Sequence, residues 1–462
     1  MCSNIIIISK ILKTLKHTLN QKVFSRKYTS NQIAPKFKLL TDKDRIFTNL
    51  YGRHDWNLAA ALSRGDWYKT KEIIAEGPEW IVNELENSGV RGRGGAFFPV
   101  AKKLRYMQKI KIASPRYVVV NGAEGEPGTC KDRDIMRHEP QKIIEGALLV
   151  GRAISATAAV IFVRGRFYNE ACNLQMALAE AYQAGLVGPN ACGSGFNFDI
   201  FIQRGAGKYI SGEETALLNC LMGAEARPRR KPPYPSEKGL YDKPTTLLNM
   251  ETIAVIPTIC RRGSEWFLSL GCPPYSPGSK LFNISGCVNS PCTVEENMGV
   301  PLKQLIEHHA GGVSGGWDNL LAVIPGGSST PILPKKLCNN LRLDWKSLSA
   351  VNSSLGTGAV IVIDKSFDIL EATKRLLLFY KKGSCHQCSR CRGQSAWAYE
   401  YCQQFQMGIG QRQEIDWLWE ISKWAAGNTI CSFSEGNSFA VQGFLRHFRH
   451  AIERSLQRHK KS

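Results

Sequence analysis

The chain has 462 residues, more than one hydrophobic core normally serves, so two or three domains are expected. Its 43% hydrophobic and 21% charged residues describe a globular protein and exclude a disordered one. The net charge of +21 suggests nucleic acid until it is located, but its terminal clusters are not interleaved with aromatics on a reading surface, so nucleic-acid binding is not expected.

The first forty residues carry eight basic side chains (Lys10, Lys13, Lys16, Lys22, Arg26, Lys27, Lys36, Lys38) and no acid before Asp42. They are also rich in Ser and Thr, with apolar residues between the lysines. That composition predicts a mitochondrial presequence over 1–33, with 26–30 as a processing neighbourhood; a flexible basic tail is the alternative. The longest apolar runs, such as 5–8, are far too short to cross a bilayer, so no direct membrane insertion is expected.

Between 114 and 223 strands and helices alternate. Strands are predicted at 117–120, 158–163 and 198–203. Helices are predicted from Pro140 to Ile154, over 169–186 and over 213–222. Continuous apolar strands separated by helices indicate an α/β sheet covered on both faces. A proline-rich connector at 227–235 follows. Then come strands at 281–285 and 292–296, a helix at 302–309 and a strand at 320–324, a small α+β unit of ubiquitin-like size. Beyond 366 four amphipathic segments (369–380, 396–405, 414–424, 441–452) predict a helical bundle. The basic cluster Arg446, Arg449, Arg454, Arg458, Lys460 and Lys461 reads as a solvated helix face.

The bundle segments bracket Cys385, Cys388 and Cys391, three cysteines at three-residue intervals, with Cys431 apart. Three thiolates so spaced can wrap one corner of a cubic cluster and a fourth can close it, the ligand pattern of a 4Fe-4S centre. A zinc knot or buried structural thiols are the alternatives. The other cysteines of the fifteen, Cys130, Cys172, Cys192, Cys220 and Cys260 among them, are mostly scattered singly through apolar or helical stretches, as core residues in a reducing compartment.

Three glycine-rich elements accompany the α/β pattern. Arg91 to Ala96 lets backbone approach an anion, though its spacing is not a Rossmann fingerprint and a tight turn would explain it. Asn121 to Gly128 follows a strand and carries Glu124 and Glu126, which suit ribose hydroxyls or an amide; a solvated acidic loop is the alternative. Gly205 to Thr215 opens a helix whose N-terminus suits a flavin edge or a phosphate.

These loops, with Phe98-Pro99, 231–235, 244–246, Asn249, Glu251-Thr252, 310–331 and the four cysteines, resemble the NADH-binding flavoprotein subunit of respiratory complex I over nearly all the chain after residue 40. The resemblance implies hydride transfer from NADH to FMN, then single electrons passing through a 4Fe-4S cluster. It implies an α/β fold with a Rossmann-like flavin and NADH domain (34–260), a ubiquitin-like β-grasp domain of the soluble ligand-binding type (275–335) and a helical 4Fe-4S domain (360–462). On this reading Gly92, Gly94, Gly95, Lys103, Asn121, Glu124, Gly212, Glu213, Glu214, Asn249 and Thr252 bind FMN or line its site. Phe98, Tyr106, Glu126, Lys231 and Tyr234 meet NADH, Glu126 and Glu214 are the catalytic acids, and Cys385, Cys388, Cys391 and Cys431 hold the cluster. Implied partners are other complex I subunits, especially the 2Fe-2S flavoprotein subunit and the large iron-sulfur subunit, at the matrix side of the mitochondrial inner membrane.

The chain departs from that family's pattern near the flavin. Phe97 and Ala101 stand where glycines are expected, Ala123 replaces an aspartate, and Lys208 and Ser211 alter the third loop. A benzyl group at a close-approach glycine is expected to clash or to force the loop aside. Arg390 adds a charge that would favour a reduced cluster if it pointed inward. The pattern suggests a diverged paralogue, either still active or a pseudo-enzyme that keeps the cluster and docking surface with impaired flavin binding. The NAD-linked half of a hydrogenase or formate dehydrogenase is a related possibility.

Overall fold

The structure is a computed structural model that describes residues 37–110, 114–205 and 207–458, at 458 without the side chain. The presequence expected over 1–33 and the basic residues Lys460 and Lys461 lie outside the described residues.

Four parallel strands form the first sheet: β1 (Tyr117–Gly122), β2 (Ala158–Arg164), β3 (Asp199–Gly205) and β4 (Thr245–Asn249). Their order is β3-β2-β1-β4. The chain steps outward from β1 to β3 and then returns to lay β4 on the other side of β1. Strand order therefore reverses between β1 and β4, the place where open α/β sheets bind ligands beyond their carboxyl ends. That end carries Asn121 and Asn249, which are register partners.

Helices α1 (Pro78–Asn87), α2 (Val100–Gln108), α3 (Lys131–His138), α4 (Pro140–Ala153), α5 (Tyr168–Gln183), α6 (Glu214–Leu221) and α7 (Met250–Arg262) accompany this sheet. Side chains alternate across β1. Val118 and Val120 join Ile144, Leu148 and Ile253 in the main core, while Val119 joins Leu217, Leu218 and Leu221 of α6 on the opposite face. Helices α4 and α7 touch so closely that a Cβ on Gly146 would lie 2.1 Å from the Ile253 carbonyl oxygen, so only glycine fits.

The second sheet contains β5 (Ser279–Gly286), β6 (Cys292–Asn297), β7 (Leu320–Ile324), β8 (Leu333–Pro334) and β9 (Ala359–Asp364) in the order β8-β7-β9-β5-β6, with α8 at Leu302–His309. Only β5 and β9 pair in parallel. The middle strand, β9, lies beyond residue 335, so a unit of 275–335 would lack the strand joining its halves. It pairs with β5, which is distant in sequence, and a parallel partner of that kind leaves no local turn signal.

Helices α9 (Ile369–Gly383), α10 (Ser389–Met407), α11 (Arg412–Ala425) and α12 (Phe433–Arg458) form the C-terminal bundle. Leu370, Leu377, Phe405, Ile415, Phe444 and Ile452 pack there with Ala322, Ile324 and Ile363 from the second sheet. On α12, Arg446 and Arg454 are exposed, whereas Arg449 pairs with Asp416 at 2.5 Å and Glu453 at 3.1 Å. Among the described residues no helix is long and apolar enough to cross a membrane.

Candidate active site and cluster site

The first glycine loop is closed by Gly92 N–H donating to the Phe98 carbonyl at 2.8 Å. Arg93 turns inward and is only 2% exposed. Its backbone N–H donates to Thr252 Oγ1 at 2.8 Å, while its Nε and Nη1 find no hydrogen-bond partner. Gly94, by contrast, is exposed, and a Cβ there would lie 3.2 Å from the Asn249 Cβ. Gly95 has φ +117°, a conformation glycine adopts freely.

Phe97 has φ +56°, the left-handed backbone that glycine favours. Its ring is 4% exposed and stacks on Trp345, with centroids 6.0 Å apart. The ring turns into the protein, and the loop keeps a glycine-like backbone at this position. Ala101 is likewise buried in the main core on α2.

Asn121 joins the second and third loops. Its Nδ2 donates to the Gly212 carbonyl at 2.9 Å and its Oδ1 accepts from Ala123 N–H at 3.0 Å. Glu124 accepts the N–H groups of Asp132 and Arg133 at 2.7 and 3.0 Å, capping the start of α3. Burial and then the Asp132 charge push Glu124 up to about 8. Glu126, 8% exposed, accepts from Ser328 Oγ at 3.0 Å, Ser329 N–H at 2.7 Å and the Tyr209 hydroxyl. Ser328 Oγ also lies 3.1 Å from Tyr380 Oη, so one carboxylate ties the second loop to the second sheet and the bundle.

Glu213 caps α6 by accepting from the Thr215 and Ala216 N–H groups, both at 2.9 Å. Lys231 Nζ bridges Glu213 and Glu214 at 3.3 Å each, and Lys103 Nζ reaches Glu214 at 2.5 Å and the Leu247 carbonyl at 2.6 Å. Burial opposes the Glu214 charge, but Lys103 and then Lys231 outweigh it and hold the carboxyl below its usual range. Phe98 and Tyr234 are exposed. Tyr106 is exposed too, and lines a groove between α1 and α2 with Leu85, Glu86 and Lys109, which contains no other expected site residue.

Beneath the first loop lies a group of buried charges that no single sequence motif joins. Lys131, Asp132, Glu251 and Lys280 are almost fully buried. Lys131 Nζ and Lys280 Nζ each lie 3.1 Å from Glu251 Oε2. Burial would raise the Glu251 carboxyl, but Lys280, Lys131 and Arg93 hold it at about 2. The available signal was one charge inside an apolar run, Glu251 between Met250 and Thr252-Ile253; Lys280 follows Gly278-Ser279 and carries no such mark.

All four expected cluster cysteines meet in one apolar group with Tyr209, Ala216, Cys220, Phe379, Tyr380 and Phe433. Cys388 caps α10 and Cys391 lies in its first turn. Ile430 N–H points at Cys388 Sγ at 3.5 Å, and Ser384 Oγ lies 3.6 Å from Cys391 Sγ. Hydrogen bonds of this kind tune a cluster's potential. All the described cysteines are free thiols. Among the described residues no three His, Cys, Asp or Glu side chains converge on a single ion position. Four free thiols gathered in one apolar group are the donor set of a 4Fe-4S cluster. Arg390 is exposed, so its charge does not point inward. The first site fits a flavin phosphate or ring: an exposed glycine backbone lies against Asn249 at the end of the sheet where strand order reverses, with Lys103 and Lys231 on the third loop's carboxylates.

Three family models match the chain: the Nuo51 FMN-binding domain over 85–258, the SLBB domain over 280–362, and the NADH-ubiquinone oxidoreductase-F iron-sulfur binding region over 371–455. The mitochondrial NADH dehydrogenase [ubiquinone] flavoprotein 1 of Dictyostelium discoideum is 54% identical over 90% of this chain and 86% of its own. The mitochondrial NADH-ubiquinone oxidoreductase 51 kDa subunit of Aspergillus niger is 52% identical over 91% and 86%. An NADH-quinone oxidoreductase subunit of Rickettsia bellii is 53% identical over 91% and 100%. Among solved structures, a subunit of an NAD+-reducing [NiFe]-hydrogenase aligns with a TM-score of 0.76 at 29% identity, covering 87% of this chain and 67% of that one. These matches lend no support to the pseudo-enzyme reading. The chain belongs to the family of 51 kDa FMN-binding flavoprotein subunits of the complex I NADH dehydrogenase.

Proposed function

We propose that this chain is the NADH-oxidising subunit of a mitochondrial complex I, using FMN and a 4Fe-4S cluster with NADH as substrate. The observation that carries this reading is the position of α6. Its N-cap Glu213 and first residue Glu214 face Lys231 and Lys103, while Ala216 and Cys220 of the same short helix pack among the four cluster cysteines. A flavin site and a cluster site thus share one two-turn element. Held there, a flavin would supply hydride acceptance with one-electron release and an iron-sulfur cluster one-electron transfer.

The protein's part is placement and electrostatics. Gly92, Gly94 and Gly95 offer backbone to the flavin, Lys103 and Lys231 supply positive charge, and Asn121, Gly212, Asn249 and Thr252 line the crevice. Glu214 is the acid that reaches a substrate. Glu126 and Glu124, held by protein donors, keep the crevice wall in place. Exposed Phe98 and Tyr234 offer stacking faces to the dinucleotide, with Tyr106 at the outer margin. Cys385, Cys388, Cys391 and Cys431 ligate the cluster. The second sheet, with its two parallel central strands, is read as a β-grasp unit extending to Asp364. Other complex I subunits dock on the chain, among them the 2Fe-2S flavoprotein and large iron-sulfur subunits, on the matrix side of the inner membrane.

The test is an absorption spectrum of anaerobically purified protein with an NADH-to-ferricyanide assay. Near-stoichiometric flavin, four irons and NADH-dependent bleaching are expected; cluster absorbance without flavin or NADH turnover would defeat the proposal.

A further inference from the structure

The side-chain amide of Asn249 is fully engaged within the protein. It ends β4 at the switch point, directly beneath Gly94. Its Oδ1 accepts from Lys131 Nζ at 2.9 Å and Glu251 N–H at 3.1 Å. Its Nδ2 donates to Asp132 Oδ2 at 2.7 Å and the Asn121 carbonyl at 3.4 Å. An asparagine amide offers two donors and two lone pairs, so nothing is left over. Turned over, it would set its NH2 against an ammonium and an N–H, and its oxygen against a carboxylate and a carbonyl. One orientation is therefore enforced. Lys131 is matched in the same way: its three protons meet Asp132 at 2.7 Å, Asn249 and Glu251. Lys131 and Asp132 are each 1% exposed and cannot reach a ligand.

We infer that Lys131 and Asp132 are positioning residues of the flavin site, which lock Asn249 as a rigid floor under the glycine loop. Asn249 then acts by supporting Gly94 and not by offering its amide to the cofactor. The inference rests on the crevice being the flavin site, as proposed above. Lys131 and Asp132 follow the second glycine loop by only a few residues, so one short stretch of chain builds both a wall of the crevice and the lock on its floor.

The test uses the full chain, stripped of FMN and titrated with FMN by fluorescence quenching, with the flavin midpoint potential measured after reconstitution. Asn249→Ala is expected to weaken FMN binding. Lys131→Met and Asp132→Asn are each expected to weaken it about tenfold. They are also expected to shift the midpoint potential of the flavin that remains bound, which a loss of stability alone would not move. The double variant Lys131→Met/Asn249→Ala should bind FMN no worse than Asn249→Ala, because Lys131 acts through Asn249. Failure of the unaltered, stripped chain to take up FMN would overturn the reading of the crevice itself, and unchanged affinity in Asn249→Ala would overturn the positioning role, because alanine keeps the Cβ beneath Gly94 and removes only the locked amide. Weakened binding in Asn249→Ala with normal binding in Lys131→Met and Asp132→Asn, or losses that add in the double variant, would overturn the positioning role alone. If Lys131→Met loses its cooperative melt, the near-isosteric Asp132→Asn, alone and with Asn249→Ala, carries the same comparison.

Discussion

Phe97 lies against Trp345 with ring planes inclined by 30° and centroids 6.0 Å apart. The first glycine loop is thereby fastened to a segment nearly 250 residues away in sequence. The stack explains how a bulky residue occupies a position with left-handed backbone: buried aromatic area offsets the strain.

Replacing Phe97 should expose that balance. Loss of a buried ring costs about 3–5 kcal/mol, and left-handed backbone costs a non-glycine residue about 1–2 kcal/mol. Phe97→Ala is therefore expected to be the least stable form and Phe97→Gly to recover about 1 kcal/mol of the loss, both below the unaltered protein in denaturant titrations. Flavin occupancy should not rise in Phe97→Gly; an increase would show that the ring obstructs the crevice.

The cluster assignment separates cysteines that look alike by burial. Cys391 sits with the other three cluster cysteines, whereas Cys402, also buried, lies in the bundle core beside the Leu370 carbonyl. Cys391→Ala should lose iron and visible cluster absorbance while retaining flavin. Cys402→Ala should keep its iron and lose about 1 kcal/mol of stability through lost packing. Iron loss in both would argue against the assignment.

Lys103 is the principal cation holding Glu214 ionised against its burial. In Lys103→Met that support is gone and burial acts with less opposition, so the carboxyl pKa rises. The acid limb of the NADH-to-ferricyanide pH profile should move to higher pH. An unmoved limb would mean that Glu214 does not govern it.

Glu251 sets an acid-stability limit. Its folded-state value of about 2 lies below the ordinary 4.5, so its contribution is full above about 4.5 and is lost as pH falls towards 2. Thermal melts across that window should steepen in the unaltered protein. In Glu251→Gln, less stable at neutral pH because Lys131 and Lys280 lose their shared anion, the dependence should flatten. An equally steep fall would place the acid sensitivity in other carboxylates.

Sequence alone determined the chemistry that resides in local pattern. Cysteine spacing named a cluster, apolar strands between helices named a covered α/β sheet, and the period of the last hundred residues named a bundle, because ligand identity and periodicity are written in neighbouring residues. Tertiary structure decided everything that depends on partners far apart in the chain. It set β4 beside β1, so that strand order reverses there, and it threaded β9 through the middle of the second sheet. It turned Phe97 towards Trp345 and Arg390 towards water, and it locked the Asn249 amide with Lys131 and Asp132. Side-chain direction and strand neighbours follow from which packing buries most apolar surface while pairing every buried charge, and that is a property of the whole folded chain.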